Sequence, residues 1–246
     1  RVKNLLQSTA QLEFWETYKN DQLLSFLIEA NKLLASKEKI EQTLPENTEK
    51  DLSSEIDDLL ADVATQDSLL PTNNPILDRI VGQGYQGGPV LAQFAARDSD
   101  LILSYLDSPE IRRLLPSDYR YTRFVWGKPL ADGDIVELYA LKSNRNNTAP
   151  LSGGVVIDAL QTFDQVGNPA VSMQMDSRGA RIWENMTGKA FKERSNIAIV
   201  LDNIVYSAPG VSSGAISGGR SEITGNFTLN EGIDLANVLR AGKLPA

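Results

Sequence analysis

Apolar and polar residues alternate through residues 8–18, with Ala10, Leu12 and Phe14 set against Gln11 and Glu13. That period of two predicts a half-buried strand. The period then lengthens. Leu23, Leu27, Ala30 and Leu34 recur at helical spacing, with Asp21 as the expected cap. From 45 to 74 the chain turns acidic, rich in Ser and Thr and poor in aromatics. Ile56, Leu59, Leu60 and Val63 allow one short helix there. Two readings stand for this stretch: a solvated insert, or an acidic docking segment for a basic partner.

Periodicity resumes at residues 88–96, which read as a strand, and 98–108 follow as a capped helix. Ser108-Pro109-Glu110 opens another helix, with Pro at the first position, where its missing N–H costs nothing. Residues 120–127 and 135–143 are two strands joined through Pro129 and an Asp132-Gly133 turn. The polar run 144–150 is the expected domain boundary. Beyond it, 154–164 and 169–176 are strands, and 177–191 is a helix with Ala180, Trp183, Thr187 and Ala190 on one face. Residues 196–209 form a hairpin that turns at Asp202 and Asn203, two residue types that tolerate positive φ. One more strand at 221–227 precedes a final helix. Thr228 and Glu231 form its capping box, and Leu229, Ile233, Ala236 and Leu239 supply its expected buried face. Arg240 sits in its last turn, and Gly242 and Pro245 stop it. The class is α+β, with antiparallel sheets and helices packed on one face.

Composition narrows the function. The net charge of −8 lacks the basic footprint that a nucleic-acid or anionic lipid surface requires. With no Cys and no His, a thiol nucleophile, a Ser-His-Asp triad and a Cys/His zinc site are excluded. No apolar run is long enough to span a bilayer. Two glycine pairs, in "SGGVV" and "ISGGR", offer an anion nest beside Arg220, or simply tight turns. Asp158, Asp164 and Asp176 fall near strand ends, as an acid/base pair, a hard-metal site, or turn and cap residues. Trp126, Trp183, Phe191 and Tyr206 are candidates for a peptide groove, although Trp183 and Phe191 fall on the apolar helix face and are expected in the core. Ser177 and Lys189 are too far apart on one helix to act as a pair. The residues alone point to a binding or structural module, with no catalytic residue, cofactor or metal ligand assigned.

The stretches "GKAFKERSNIAIVLDNIVYSAP" and "ISGGRSEITGNFTLNEGIDLANVLRAGKLPA" resemble the large first periplasmic domain of the SecD family, or of the SecD half of a fused SecDF. Thr187-Gly188-Lys189, the hairpin start at 198–202, the Gly218-Gly219-Arg220 turn, residues 223–228 and residues 234–245 match the family pattern. Residues 151–183 and 5–16 are similar to further family segments. Asp202-Asn203 stands where the family usually has Asp-Gly, and residues 19–88 look like an insertion.

The resemblance implies ferredoxin-like base elements over 1–150, a smaller α+β head over 151–227, and a helix over 228–246 returning to the base and leading toward the membrane. It implies a preprotein-engaging domain on the periplasmic face of the inner membrane, in a Sec translocase accessory subunit driven by the proton-motive force. Unfolded preprotein, the SecYEG channel and SecF are the implied partners. Gly153, Gly154 and Gly225 are the expected hinges of a moving head. The alternatives are a carboxylate-based periplasmic glycan hydrolase and a static spacer.

Overall fold

The computed structural model of the chain describes residues 11–43, 73–130, 133–224 and 228–241. Residues 45–72 of the acidic stretch 45–74, Asp132, the expected hinge Gly225 and the expected stop at Gly242 and Pro245 lie outside the described residues.

The alternation at the start of the chain yields β1 (Leu12–Glu16), and both of its faces are buried. It pairs with β9 (Ile197–Leu201) from Leu12↔Leu201 to Glu16↔Ile197, and with the short β6 (Leu151–Ser152) on its other edge. The remaining strands of this sheet are β2 (Ile80–Gly82), β3 (Val90–Ala95), β4 (Thr122–Gly127), β5 (Ile135–Lys142) and β10 (Ile204–Ser207). Their order is β2-β3-β5-β4-β10-β9-β1-β6. The β4–β10 pair is parallel and the others are antiparallel.

The sheet curls back on itself. Thr17 bridges Leu141, and the Tyr18 N–H donates to the Ala140 carbonyl at 2.8 Å, so β1 returns to β5. The inner face then closes over Trp15, Val125, Tyr139, Leu141, Ala198, Val200 and Val205. One ion pair sits among these rings. Arg123 lies 3.2 Å from Glu13 and 5.1 Å from the Trp15 ring centroid, and the Trp15 indole N–H donates to Glu13 at 2.9 Å. The buried Glu13 carboxylate is thus paired with a cation and accepts the indole N–H.

Helices cover the outer face. α1 (Asn20–Thr43), α2 (Ser99–Asp107) and α3 (Pro109–Arg113) bury Leu23, Phe26, Leu27, Ala30, Ile102, Leu106 and Ile111 against Phe94, Phe124 and Leu138. Asp21 is not the cap of α1; it lies within the first turn. Gln22 takes the capping role, accepting the Lys19 N–H at 2.9 Å. Asn20 ties the helix to the loop ahead of β3 through Tyr85, Gly87 and Val90. The described parts of the expected insertion are thus integral to the sheet: α1 fills its core and β2 pairs with β3.

A second sheet of three strands runs β11-β8-β7, from β7 (Val156–Phe163), β8 (Pro169–Met175) and β11 (Arg220–Thr224). α4 (Ser177–Glu193) and α5 (Leu229–Ala241) join it to the first sheet over Leu12, Phe14, Val171, Met173, Trp183, Ile197, Ile199 and Leu239. The expected boundary at 150/151 does not follow the sheets, because β6, β9 and β10 lie beyond it and belong to the eight-stranded sheet.

The buried face of α5 is turned from the expected one. Leu229 and Ile233 are 47% and 41% exposed, while Leu235, Ala236 and Leu239 are buried. Gly232 is the cause. A Cβ there would stand 3.3 Å from Gln161 Cγ, so its absence lets the helix seat along residues 232, 235, 236 and 239.

The β9–β10 turn holds Asp202 at φ 49° and Asn203 at φ 68°. A β-branched side chain there meets the left-handed penalty of about 1–2 kcal/mol. Asn203→Val is expected to lose that much in urea unfolding, and Asn203→Gly less than half as much. A valine variant as stable as the parent would contradict the turn geometry.

The α5 cap makes stability depend on pH. The Thr228 N–H and Lys128 ammonium, at 2.9 and 3.0 Å, hold the Glu231 carboxyl down to about 2. A depressed carboxyl stabilises the fold above its unfolded pKa and loses that contribution as pH falls through the folded value. Glu231→Gln should therefore melt below the parent at neutral pH, with the gap closing as pH falls toward about 2. A gap independent of pH would refute this linkage.

Candidate functional site

A groove lies where α4 ends, beside β11. Asp176 starts the helix by accepting the Gly179 N–H at 2.7 Å, so α4 grows directly from the end of β8. Trp183 then packs edge-on against Phe14 of β1, with centroids 5.5 Å apart. The helix closes through the Ser195 N–H to the Ala190 carbonyl at 2.9 Å, with Arg194 in the left-handed region at φ 52°.

Residues 208–219 cross the groove as a strap. Asn196 Nδ2 donates to the Ala208 carbonyl at 2.7 Å, and the Ile197 N–H to the Pro209 carbonyl at 3.0 Å. At the far end the Met175 N–H donates to the Gly219 carbonyl at 2.8 Å. In the middle, Thr187 accepts the Ile216 N–H at 2.9 Å and donates to the Trp183 carbonyl at 2.7 Å. Each member of Thr187-Gly188-Lys189 has a part in this. Gly188 lets Ala215 approach, since a Cβ there would stand 3.2 Å from it. Lys189 reaches Glu16 of β1 at 2.7 Å, and that hydrogen bond raises the lysine pKa. Lys142 bridges Glu16 at 3.7 Å and Glu193 at 2.5 Å. Burial pushes the Glu193 carboxyl up, but its bond to Lys142 prevails and the net shift is downward.

The resulting groove has a volume of about 850 Å³. Trp183, Ile197, Ile199 and Ile223 give it an apolar floor, and Phe191, Val211 and Ile216 add apolar walls. Lys192, Arg194 and Glu222 carry charge at it. Two polar atoms in its lining, Trp183 Nε1 and Ser195 Oγ, are sealed from solvent with no hydrogen-bond partner. Residues 221–224 of β11 run along it, and β11 pairs only with β8 among the described strands.

The candidate residues separate. Of the four aromatics, Trp183 and Phe191 meet in this groove. Trp126 lines a different one with Arg112, Arg120 and Arg123, and Tyr206 packs on the core between the sheets. Phe191 is not a core residue, being 46% exposed, because it flanks the buried Trp183, Thr187, Ala190 face. The three aspartates do not converge. Asp176 caps α4, Asp158 is exposed on β7, and Asp164 folds the β7–β8 turn by accepting the Val166 and Asn168 N–H groups. The Asn168 backbone bond is foremost in lowering its pKa.

Gly218 and Gly219 adopt φ 76° and 72° at a turn, and a Cβ on Gly219 would stand 2.8 Å from Ala180. Arg220 opens β11 opposite Gln174. Gly153 abuts Leu12, which a Cβ would approach to 2.5 Å, whereas Gly154 has nothing nearer than Ser152 Oγ at 3.9 Å. Ser195, Val211 and Ile216 were not foreseen. The Pro/Gly/Ser-rich run 209–218 between two strands was the signal for the strap. Among the described residues no group of three or more His, Cys, Asp and Glu side chains is placed to hold a metal.

Residues 137–246 match the family described as SecDF, P1 head subdomain. The chain aligns over its whole length, at 37% identity, with the protein translocase subunit SecD of Rhodothermus marinus, of which it covers 38%. SecD of Magnetococcus marinus is 49% identical over 39% of this chain and 18% of its own length. A solved structure described as "Structure and function of a membrane component SecDF that enhances protein export" is 21% identical, with a TM-score of 0.35 over 95% of this chain and 94% of that one. Residues 137–246 thus match the SecDF P1 head subdomain, and the whole chain is similar to SecD protein translocase subunits. It spans less than two-fifths of the Rhodothermus relative, and no described helix is long and apolar enough to cross a membrane.

Thr187 holds the strap by an interior hydrogen bond. Thr187→Val keeps the shape and orphans the Ile216 N–H, a loss of about 1–3 kcal/mol in local stability. Proteolysis within 208–219 should accelerate, with cleavage elsewhere unchanged. Unchanged cleavage of the strap would show that Thr187 does not fasten it.

Proposed function

We propose that this chain is the periplasmic, polypeptide-engaging part of a Sec translocase accessory subunit, and that it acts without covalent chemistry. The observation that carries the reading is the open groove beside β11, a strand paired on one side only among the described residues, built by Thr187-Gly188-Lys189 of α4 and the Gly218-Gly219-Arg220 turn. An apolar floor with a polar rim suits sequence-tolerant contact with an unfolded chain. Among the described residues Glu222 is the one carboxylate in that lining, so a paired-acid hydrolase has no second group there among them. In this proposal the unfolded preprotein is the ligand, SecYEG and SecF are the neighbours, and the proton-motive force acts through membrane segments outside this chain. Movement of the 151–227 region as one body is not part of the proposal, because β6 and β9 within it pair with β1, and β10 pairs with β4.

The test is a photo-crosslinking residue at Phe191 of the full-length membrane protein, with a defined preprotein arrested in the channel. Adducts are expected at 191 and not at Glu29, an exposed position on α1. Equal labelling at both positions, or none at 191, would reject the groove as the contact surface.

A further inference from the structure

We propose that the groove recognises the main chain of its ligand, by adding an extended segment as a further strand on the free edge of β11, and that it favours a segment with a carboxylate at one end. This rests on the polypeptide-engaging reading above and specifies its chemistry. Two independent features lead to it.

The first is the edge. A strand paired on one side turns alternate N–H and C=O groups to the other. On β11 that second side has no strand among the described residues, and 221–224 lie along the groove rather than against solvent alone. Four residues in extended form span roughly 13 Å, enough for a short ladder. The second is charge. Lys192 and Arg194 stand at the groove without an ion-pair partner among the described residues, and Glu222 is likewise unpaired on β11. Two cations against one carboxylate leave room for an acidic ligand residue near the end of α4. Alternate side chains of an added strand would face the floor of Trp183 and Ile223, and the intervening ones would face out.

The probe is a fluorescent peptide of alternating Val and Ser ending in Asp, titrated against the full-length protein. N-methylation removes one main-chain donor at a time. Methylation at every second position should weaken binding about tenfold, and at the intervening positions much less. Exchanging the terminal Asp for Lys should also weaken binding, and added salt should shrink that difference.

Uniform tolerance of N-methylation would overturn strand addition while leaving a Phe191 crosslink to preprotein intact. Loss of both the crosslink and peptide binding would remove the groove reading itself. Concentration-dependent self-association that excludes the peptide would give the edge to a second copy and overturn the proposal.

Discussion

The edge-to-face contact of Phe14 with Trp183 is the joint on which the two sheets depend. β1 buries both faces, and Phe14 is the side chain it turns toward α4 while Trp15 fills the curled interior. Such a ring pair adds about 0.5–1.5 kcal/mol beyond the area it buries. Its positional effect is larger. With Trp183 fixed on Phe14, the next turn of α4 brings Thr187 under the strap and Lys189 over Glu16. The groove floor, its roof and the ion pair to β1 therefore follow from one seated indole.

That seating also accounts for the polar cost of the site. Packing Trp183 edge-on against Phe14 leaves its N–H without a partner, and the close of α4 leaves Ser195 in the same condition. A domain built only for stability would satisfy or replace both groups. Arg194 in the left-handed region is a further cost at the same place, where glycine would be the easier residue. Three locally unfavourable features gathered in one groove fit a surface shaped for a ligand.

Much of this fold was legible in the sequence because local signals and packing agree. The Pro109 start, the Thr228–Glu231 cap and the Asp202-Asn203 turn each depend on near neighbours, and each is formed as the pattern predicts. The misreadings share one origin, a tertiary contact that periodicity does not carry. Leu229 and Ile233 have the right spacing for burial, but Gly232 against Gln161 selects the adjacent stripe. Within the expected insertion at 19–88, Leu23, Phe26 and Ala30 meet Phe94 and Phe124 from further along the chain. The site was half visible. Trp183 and Phe191 announce themselves as aromatics, and Thr187-Gly188-Lys189 as a family motif. Ser195 and the strap carry no periodic signal, and the free edge of β11 exists only once β8 has taken its other side.

The central claim is that β11 offers an open edge to an extended chain. It is tested most directly by amide hydrogen exchange across residues 220–224 of the full-length protein, with and without saturating extended peptide. The account predicts slowed exchange at alternate amides of β11, since only every second N–H points away from β8. Unchanged exchange along β11 at full occupancy, with protection confined to other surfaces, would contradict it.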